Sequence, residues 1–254
     1  MAEVTVITVV RNHSQGLKAT YESLLLQSIT DWIMIIVIGA SSDDTLELAN
    51  ELAKNDVRVH LVLQSGLGIY SAMNQGLELT ATNFVWFMNA GDRFSQENAI
   101  KIGTSIMIER KADLIVGGYQ VKVAGVSKRY THSLKSVSSK GFAFNRRSGC
   151  HQAMIFSTKV IQSMGGYATS YVLASDFDLV LRMTRSYSVM RVPHCFTIIE
   201  PGGVADSNIR QVHEEKHEIR KLHFQNKSIA ILSLMWKIAA TIKIETQRKL
   251  MKQN

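Results

Sequence analysis

The sequence predicts an α/β fold, a mostly parallel sheet flanked by helices, and three observations predict it. VTVITVV (4–10), WIMIIVIG (32–39), VRVHLVLQ (57–64) and FVWFMN (84–89) are near-continuous apolar runs, as strands buried on both faces require. Between them, LKATYESLLLQS (17–28), SSDDTLELANELAK (41–54) and GIYSAMNQGLELT (68–80) carry apolar residues at helical spacing. Polar or glycine-containing breaks such as RNHSQG (11–16) separate each strand from the helix after it. Strand–helix alternation of this kind makes a parallel sheet covered on both sides, with ligands at the carboxyl ends of the strands.

Each element has its own justification. The first run is β-branched and lacks the basic flank and length of a membrane span, so it reads as a strand and not a signal. Ser41, Ser42 and Asp43 are the available N-caps for the second helix, whose apolar positions include Leu46, Leu48 and Leu52. Beyond about residue 94 the pattern loosens. ENAIKIGTSIMIERKA (97–112) reads as helix, DLIVGGYQVKVAG (113–125) and SKRYTHS (127–133) as strands, GFAFNRRSGCHQAMIFS (141–157) as loop then strand, and DFDLVLRMTRSY (176–187) as helix. From Asn208 a long helical pattern runs on and breaks near Asn226.

The bulk composition excludes several classes. A chain of 254 residues with 46% hydrophobic and 20% charged content buries a sizeable core, which argues against disorder. Cys150 and Cys195 make no disulfide framework and suit a reducing compartment, the cytoplasm. The net charge of +8 favours polyanionic partners, yet the excess lies in the tail. There Lys227, Lys237, Lys243, Arg248, Lys249 and Lys252 are opposed after residue 226 only by Glu245. GxxxxGK[ST], GxGxxG after a strand, GxSxG and CxxC are all missing, which removes the main support for triphosphatases, dinucleotide enzymes, serine hydrolases and zinc modules. His213 and His217 share a helix face but lack further ligands nearby, so they read as solvated surface histidines.

What is left is a rim of strand-end polar groups: Arg11, the loop from Gly39 to Asp44, Gly66 to Gly68, and Asp92. In a parallel sheet these meet along one edge and frame a nucleotide-sized cleft. Taken alone, NAGD (89–92) is a strand-end turn in which Asp92 caps the next segment, and Asp176 in ASDFD is a helix N-cap.

The ordered set TVVRN (8–12), SLLLQS (23–28), IGASSDDT (38–45), GLGIYSAMNQG (66–76) and FMNAGD (87–92) resembles the inverting glycosyltransferases of family 2. The small bacterial enzymes that build O-antigen, capsule or colanic-acid-type polysaccharides are particularly similar. CHQAMIF (150–156), ASDFDLVLRM (174–183) and EPGGVADSN (200–208) extend the resemblance over roughly residues 4 to 208. It implies a GT-A fold at 1–208, with a donor-binding half at 1–94 and an acceptor half at 95–208; beyond it, the residues of 209–254 read as a basic, amphipathic helical region.

The resemblance also implies a chemistry, transfer of a hexosyl-type sugar with inversion from a UDP- or GDP-sugar to a saccharide or lipid-linked acceptor. Asp92 matches the last carboxylate of the family's metal-binding motif and would hold Mg2+ or Mn2+, oxygen-loving ions that neutralise the departing diphosphate. Asp176 matches the base that takes the acceptor's proton, with Asp178 as its competitor. Val9, Arg11, Ser41, Asp43, Gly68, Met73, Asn74, Asn89, Ala90 and Gly91 would line the donor site, and His151, Gln152, Gly202 and Gly203 the acceptor side. Met73 equally suits core packing, and His151 equally suits a core histidine. His194 is a weaker candidate for phosphate or metal contact.

Three departures stand out: Ile38 where the family usually has a nucleobase-reading Asp, and Gly66 and Ser71 where acidic residues are frequent. They keep open an alternative, a GT-A-like nucleotide-sugar-binding or scaffold protein with impaired catalysis. A nucleic-acid binder has only charge in its favour, with no reader motif or stacking platform, so no nucleic-acid partner is expected. The tail combines Ile229, Leu232, Met235, Trp236, Ile242 and Leu250 with its basic residues, which suits a helix on an anionic membrane face or one packed on the domain.

Overall fold

The computed structural model describes residues 3–123, 126–144 and 150–226, together with 231, 233–235, 237 and 238. The first half follows the predicted alternation: β1 (Val4–Val10), α1 (Ser14–Leu25), β2 (Trp32–Ile38), α2 (Thr45–Asn55), β3 (Val59–Leu63), α3 (Ile69–Glu78) and β4 (Phe84–Phe87). The second half is more varied. It comprises β5 (Arg93–Phe94), α4 (Ala99–Arg110), β6 (Leu114–Val123), β7 (Val126–Tyr130), β8 (Lys135–Ser136), α5 (Ser139–Ala143), a 3-10 turn (His151–Ala153), β9 (Met154–Ser157), α6 (Thr158–Ser163), α7 (Ser175–Ser186), β10 (Val189–Ile199), α8 (Val204–Ser207) and α9 (Ile209–Phe224).

One mixed sheet organises these elements, in the order β3-β2-β1-β4-β9-β6-β10-β5, with β7 on β6 and β8 on β10. β1 is central to the first half. It runs parallel to β2 from Val4↔Trp32 to Val10↔Ile38 and parallel to β4 from Val4↔Phe84 to Ile7↔Phe87. The carboxyl ends of β1, β2, β3 and β4 therefore open onto one rim, as their continuous apolar runs predicted. β9 enters antiparallel between β4 and β6 and joins the two halves without a linker.

Period-2 alternation divides the core between the two faces. Ile7 and Val9 face one way, toward Tyr70, Met73 and Leu77 of α3, Leu179 and Met183 of α7 and Ile219 of α9. Val4, Val6 and Val10 face the other way, toward Leu17 and Leu24 of α1, Ala49 of α2 and Met107 of α4. Strands so covered have no solvated face, which is why their sequences do not alternate.

Several elements depart from the sequence reading. β10 was not anticipated, because Pro193 interrupts its apolar run and a proline inside a run argues against a paired strand. The strand accommodates it with register shifts between Arg191 and Cys195 and again before Thr197. His217 is buried, not solvated, with Nδ1 2.9 Å from the Ser233 hydroxyl. Of the residues read as a membrane-facing tail, Ile229, Leu232, Trp236, Ile242, Leu250, Lys227, Lys243, Arg248, Lys249 and Lys252 lie outside the described residues. Among the described residues, no helix is long and apolar enough to cross a membrane.

Candidate active site

The site begins where β4 runs out. Ala90 N–H still donates to Val9 O at 3.3 Å, and then the chain turns, with Asp92 N–H donating to Asn89 O at 3.0 Å. Gly91 makes this turn at φ +99°, a conformation that favours glycine. Thr20 of α1 braces it: its hydroxyl accepts from Gly91 N–H at 3.0 Å and donates to Asp92 O at 2.7 Å. The Asp92 side chain thus points back into the protein and is only 3% exposed.

Two segments distant in sequence hold its carboxylate. Oδ1 accepts from Glu200 N–H at 2.8 Å, at the end of β10. Oδ2 accepts from Gln152 Nε2 at 2.7 Å, in the 3-10 turn before β9. The short strand β5 delivers the first contact by pairing Arg93 with Ile198 and Phe94 with Thr197, which brings Glu200 to Asp92. Trp86 Nε1–H donates to Gln152 O at 2.7 Å and delivers the second. The Cys150 thiol donates to Gln152 Oε1, and burial pushes that thiol's pKa up, so it stays protonated at neutral pH. Burial likewise pushes the Asp92 carboxyl up to about 6. Nearby Glu200 adds to that rise, while the two hydrogen bonds and the charge of His151 oppose it.

His151, next along the chain, turns toward the other predicted carboxylate. Its Nδ1 is 3.7 Å from Asp176 Oδ2. Asp176 lies in the first turn of α7, where the helix dipole favours negative charge, and Oδ1 accepts from Phe177 N–H at 2.7 Å. Burial alone would raise its pKa, but the nearby His151, the charge of Lys216 and the bond from Phe177 N–H outweigh burial and hold it below the usual carboxylate range. Asp176 is therefore an anion at neutral pH. Asp178 has other duties: Arg182 Nε–H donates to it at 2.8 Å and His223 Nε2 lies 2.9 Å from it.

Adjacent residues thus connect the two predicted carboxylates, Gln152 bonding Asp92 and His151 facing Asp176. The donor-side candidates divide. Gly68 enters α3 at φ +86°, Arg11 is exposed at the end of β1, and Asn89, Ala90 and Gly91 form the turn already described. Val9 meets that turn through its carbonyl, its side chain being in the core. Ser41 Oγ accepts from Asn12 N–H at 3.0 Å and donates to Gly39 O at 3.0 Å. Asp43 accepts from Thr45 N–H at 3.1 Å just before α2, whose N-cap position is Asp44, without a side-chain capping bond.

Two of the donor-side candidates have structural duties. Met73 is a core side chain, 1% exposed, because α3 turns that face onto β1 and β2. Asn74 is committed on both ends of its amide, Nδ2–H to Tyr167 O and Oδ1 from Tyr167 N–H, each at 2.8 Å, so its side chain anchors a loop. Ile38 is also buried, packing toward α1 and α2, and offers the cleft no side-chain acceptor. Gly202 has φ +93°, as a tight turn requires, and Gly203 precedes α8. His194 lines a groove with Lys101, Ile102 and Ser105 of α4 and is not among the Asp92 contacts.

Glu200 and His13 escaped the sequence reading. Their side chains meet over Gly91, His13 Nε2 lying 3.1 Å from Glu200 Oε2. A Cβ on Gly91 would collide with that same oxygen, so glycine serves a close approach as well as a turn. Both residues sit in segments whose polarity marked them, RNHSQG and EPGG, but their convergence depends on the unforeseen β10.

Parallel strands whose carboxyl ends share a rim, continued in the same sheet by antiparallel strands of the second half, make a GT-A-type fold. The chain belongs to Glycosyl transferase family 2, whose model matches residues 5–163. It is 29% identical over 190 residues to a Bacillus subtilis (strain 168) protein named for teichuronic acid biosynthesis, the glycosyltransferase TuaG, covering 73% of this chain and 75% of that one. It is 25% identical over 173 residues to a PGL/p-HBAD biosynthesis glycosyltransferase of Mycobacterium bovis (strain BCG / Pasteur 1173P2), covering 67% of this chain and 65% of the relative's length. Among solved structures, S. aureus TarS 1-349 in complex with UDP superposes with TM-score 0.68 at 15% identity, covering 91% of this chain and 70% of that one. Mannosyltransferase PcManGT from Pyrobaculum calidifontis, in complex with GDP-Man and Mn2+, gives 0.67 at 12% identity, covering 98% and 80%. At these identities the structural matches establish the fold.

Proposed function

We propose that the protein transfers a sugar, with inversion, from a UDP- or GDP-sugar to a saccharide acceptor carried on a lipid, in the assembly of a cell-surface polysaccharide. The observation that carries this reading is the link between Asp92 and Asp176 through the adjacent residues Gln152 and His151. Asp176 accepts the proton of the acceptor hydroxyl as that oxygen attacks the anomeric carbon. The new glycosidic bond forms on the face opposite the breaking bond to the nucleoside diphosphate, which departs with the electron pair. His151, facing Asp176, orients the carboxylate, and Lys216 keeps it ionised.

The residues present fit a divalent cation, Mg2+ or Mn2+, held by Asp92 with Glu200 beside it. A desolvated carboxylate with a second one nearby is short of positive charge, as the raised Asp92 pKa records. Among the described residues no group of three or more His, Cys, Asp or Glu could hold a metal, so oxygens of the donor's diphosphate would complete the coordination. When bound, such an ion neutralises the charge that builds on the leaving diphosphate.

The lipid-linked acceptor and a cytoplasmic site, peripheral on the inner membrane face, belong to the same proposal. Free thiols at Cys150 and Cys195 support a reducing compartment, and the names of the relatives support surface-glycan synthesis. A panel of UDP- and GDP-sugars with a lipid-linked acceptor tests it. Transfer or donor hydrolysis should require divalent metal and fall at least about 100-fold in D92A, in line with the loss of a charge-stabilising group. Ile38, buried and without a polar atom for a nucleobase, favours the second reading of an impaired sugar-nucleotide binder. Metal-linked binding of UDP or GDP in calorimetry without any turnover would select that reading.

A further inference from the structure

We propose that Glu215, on α9, is a positioning residue for the base, holding the segment that launches α7 so that Asp176 meets the acceptor at a fixed place. The inference rests on the functional reading above. α7 begins without a cap of its own: Ala174 precedes it and makes no side-chain capping bond. The segment leading into it is held from another helix. Glu215 Oε2 accepts from Leu173 N–H and Ala174 N–H, both at 2.9 Å, and Oε1 accepts from Val172 N–H at 3.2 Å. Three successive amides on one carboxylate form an anion nest turned inward, with a side chain of the same protein as its occupant.

Ala174 also accepts the first helical bond, from Asp178 N–H at 3.2 Å, so the residue gripped by Glu215 is the one from which the first turn of α7 is hung. Asp176 lies two residues on. Upstream, the loop is fixed at Tyr167 by both ends of the Asn74 amide, while residues 169, 170 and 172 are exposed and out of regular structure. Glu215 is thus the anchor on the side of the loop next to the base. Gln211 Nε2–H donates to Glu215 Oε1 at 3.0 Å and steadies the carboxylate from the preceding turn of α9. The neighbouring Lys216 places its ammonium 5.2 Å from the Phe177 ring, so consecutive residues of α9 address the same turn.

Both oxygens accept, so a glutamine in this place must turn an N–H₂ toward one of the amides. An aspartate keeps two acceptors and retreats by one methylene. The test combines steady-state kinetics of E215A, E215Q and E215D with hydrogen exchange of the peptide spanning 168–178. Displacement of a base by about 1 Å costs up to about 100-fold, so kcat in E215A and E215Q should fall about 10- to 100-fold while the KM for the sugar nucleotide changes less than about threefold. E215D should recover part of the loss. Protection should fall in 168–178 and stay unchanged in β1 and β4. A kcat within about twofold of wild type, or a loss of protection spread over the whole chain in E215Q as well as E215A, overturns the proposal. Wild-type protein that transfers no sugar from any donor overturns the functional reading first and this proposal with it, whereas active wild type with equally active variants overturns only the role of Glu215.

Discussion

Asp92 carries an energetic cost that its neighbours do not remove. Burial, with the charge of Glu200, pushes its carboxyl to about 6, so the folded chain keeps a proton that the unfolded chain releases near 4. A raised carboxyl pKa gives the folded state more bound protons between those values, and stability therefore declines as pH rises through that window. The loss is on the order of 2–3 kcal/mol once the group is ionised. Without divalent ions, the Tm of wild type should drop from pH 5 to pH 7.5 by more than that of D92N, and Mn2+ should narrow the difference at pH 7.5 but not at pH 5. Equal pH dependence in the two proteins would remove the argument that Asp92 is poised for a cation. The signal for this residue was legible, since an apolar run ending in NAGD left one carboxylate at a strand end. Glu200 was not, because EPGG names a turn without naming its neighbour.

At the scale of elements, α7 divides its carboxylates by task. Asp178, with side-chain exposure of 8%, balances Arg182 and His223, and those bonds with their charge outweigh burial to keep its pKa low. Removing it leaves a half-buried guanidinium and an imidazole without their anion, which should destabilise D178A by about 2 kcal/mol. D176N should leave the thermal midpoint within a few degrees of wild type and lower turnover by about 100-fold or more. Thermal melts beside donor-consumption assays separate the two, and similar stability losses in both would contradict the division. Sequence periodicity placed α7 correctly and left this competition open, because two residues of spacing says which way a side chain starts and not what awaits it. α9 read as the start of a tail, yet Glu215 binds it to the approach to α7, His223 to Asp178 of α7 and Arg220 to the end of α5. Those contacts bridge about 40 residues of sequence or more, and no local pattern records them.

For the whole molecule, the first half was readable because its logic is local: each buried strand is followed by the helix that covers it, and parallel pairing then puts all four strand ends on one rim. The second half breaks that logic. β9 lies antiparallel between β4 and β6, and β10 carries a proline and bulges to reach Asp92, so its contribution depends on pairings that sequence order does not suggest. Met73 and Asn74 show the converse limit, since motif position does not record their structural duties, Met73 in the core and Asn74 on the loop at Tyr167. The account as a whole stands on one cleft with two acidic functions, Asp92 at the leaving group and Asp176 at the nucleophile. The most direct measurement is the anomeric configuration and rate of sugar transfer to a lipid-linked acceptor by wild type and D176N, with donor binding measured alongside. The account predicts an inverted product, a rate lowered by about 100-fold or more in D176N, as loss of a general base requires, and unchanged donor affinity. A product of retained configuration, or transfer by D176N at the wild-type rate, would contradict it.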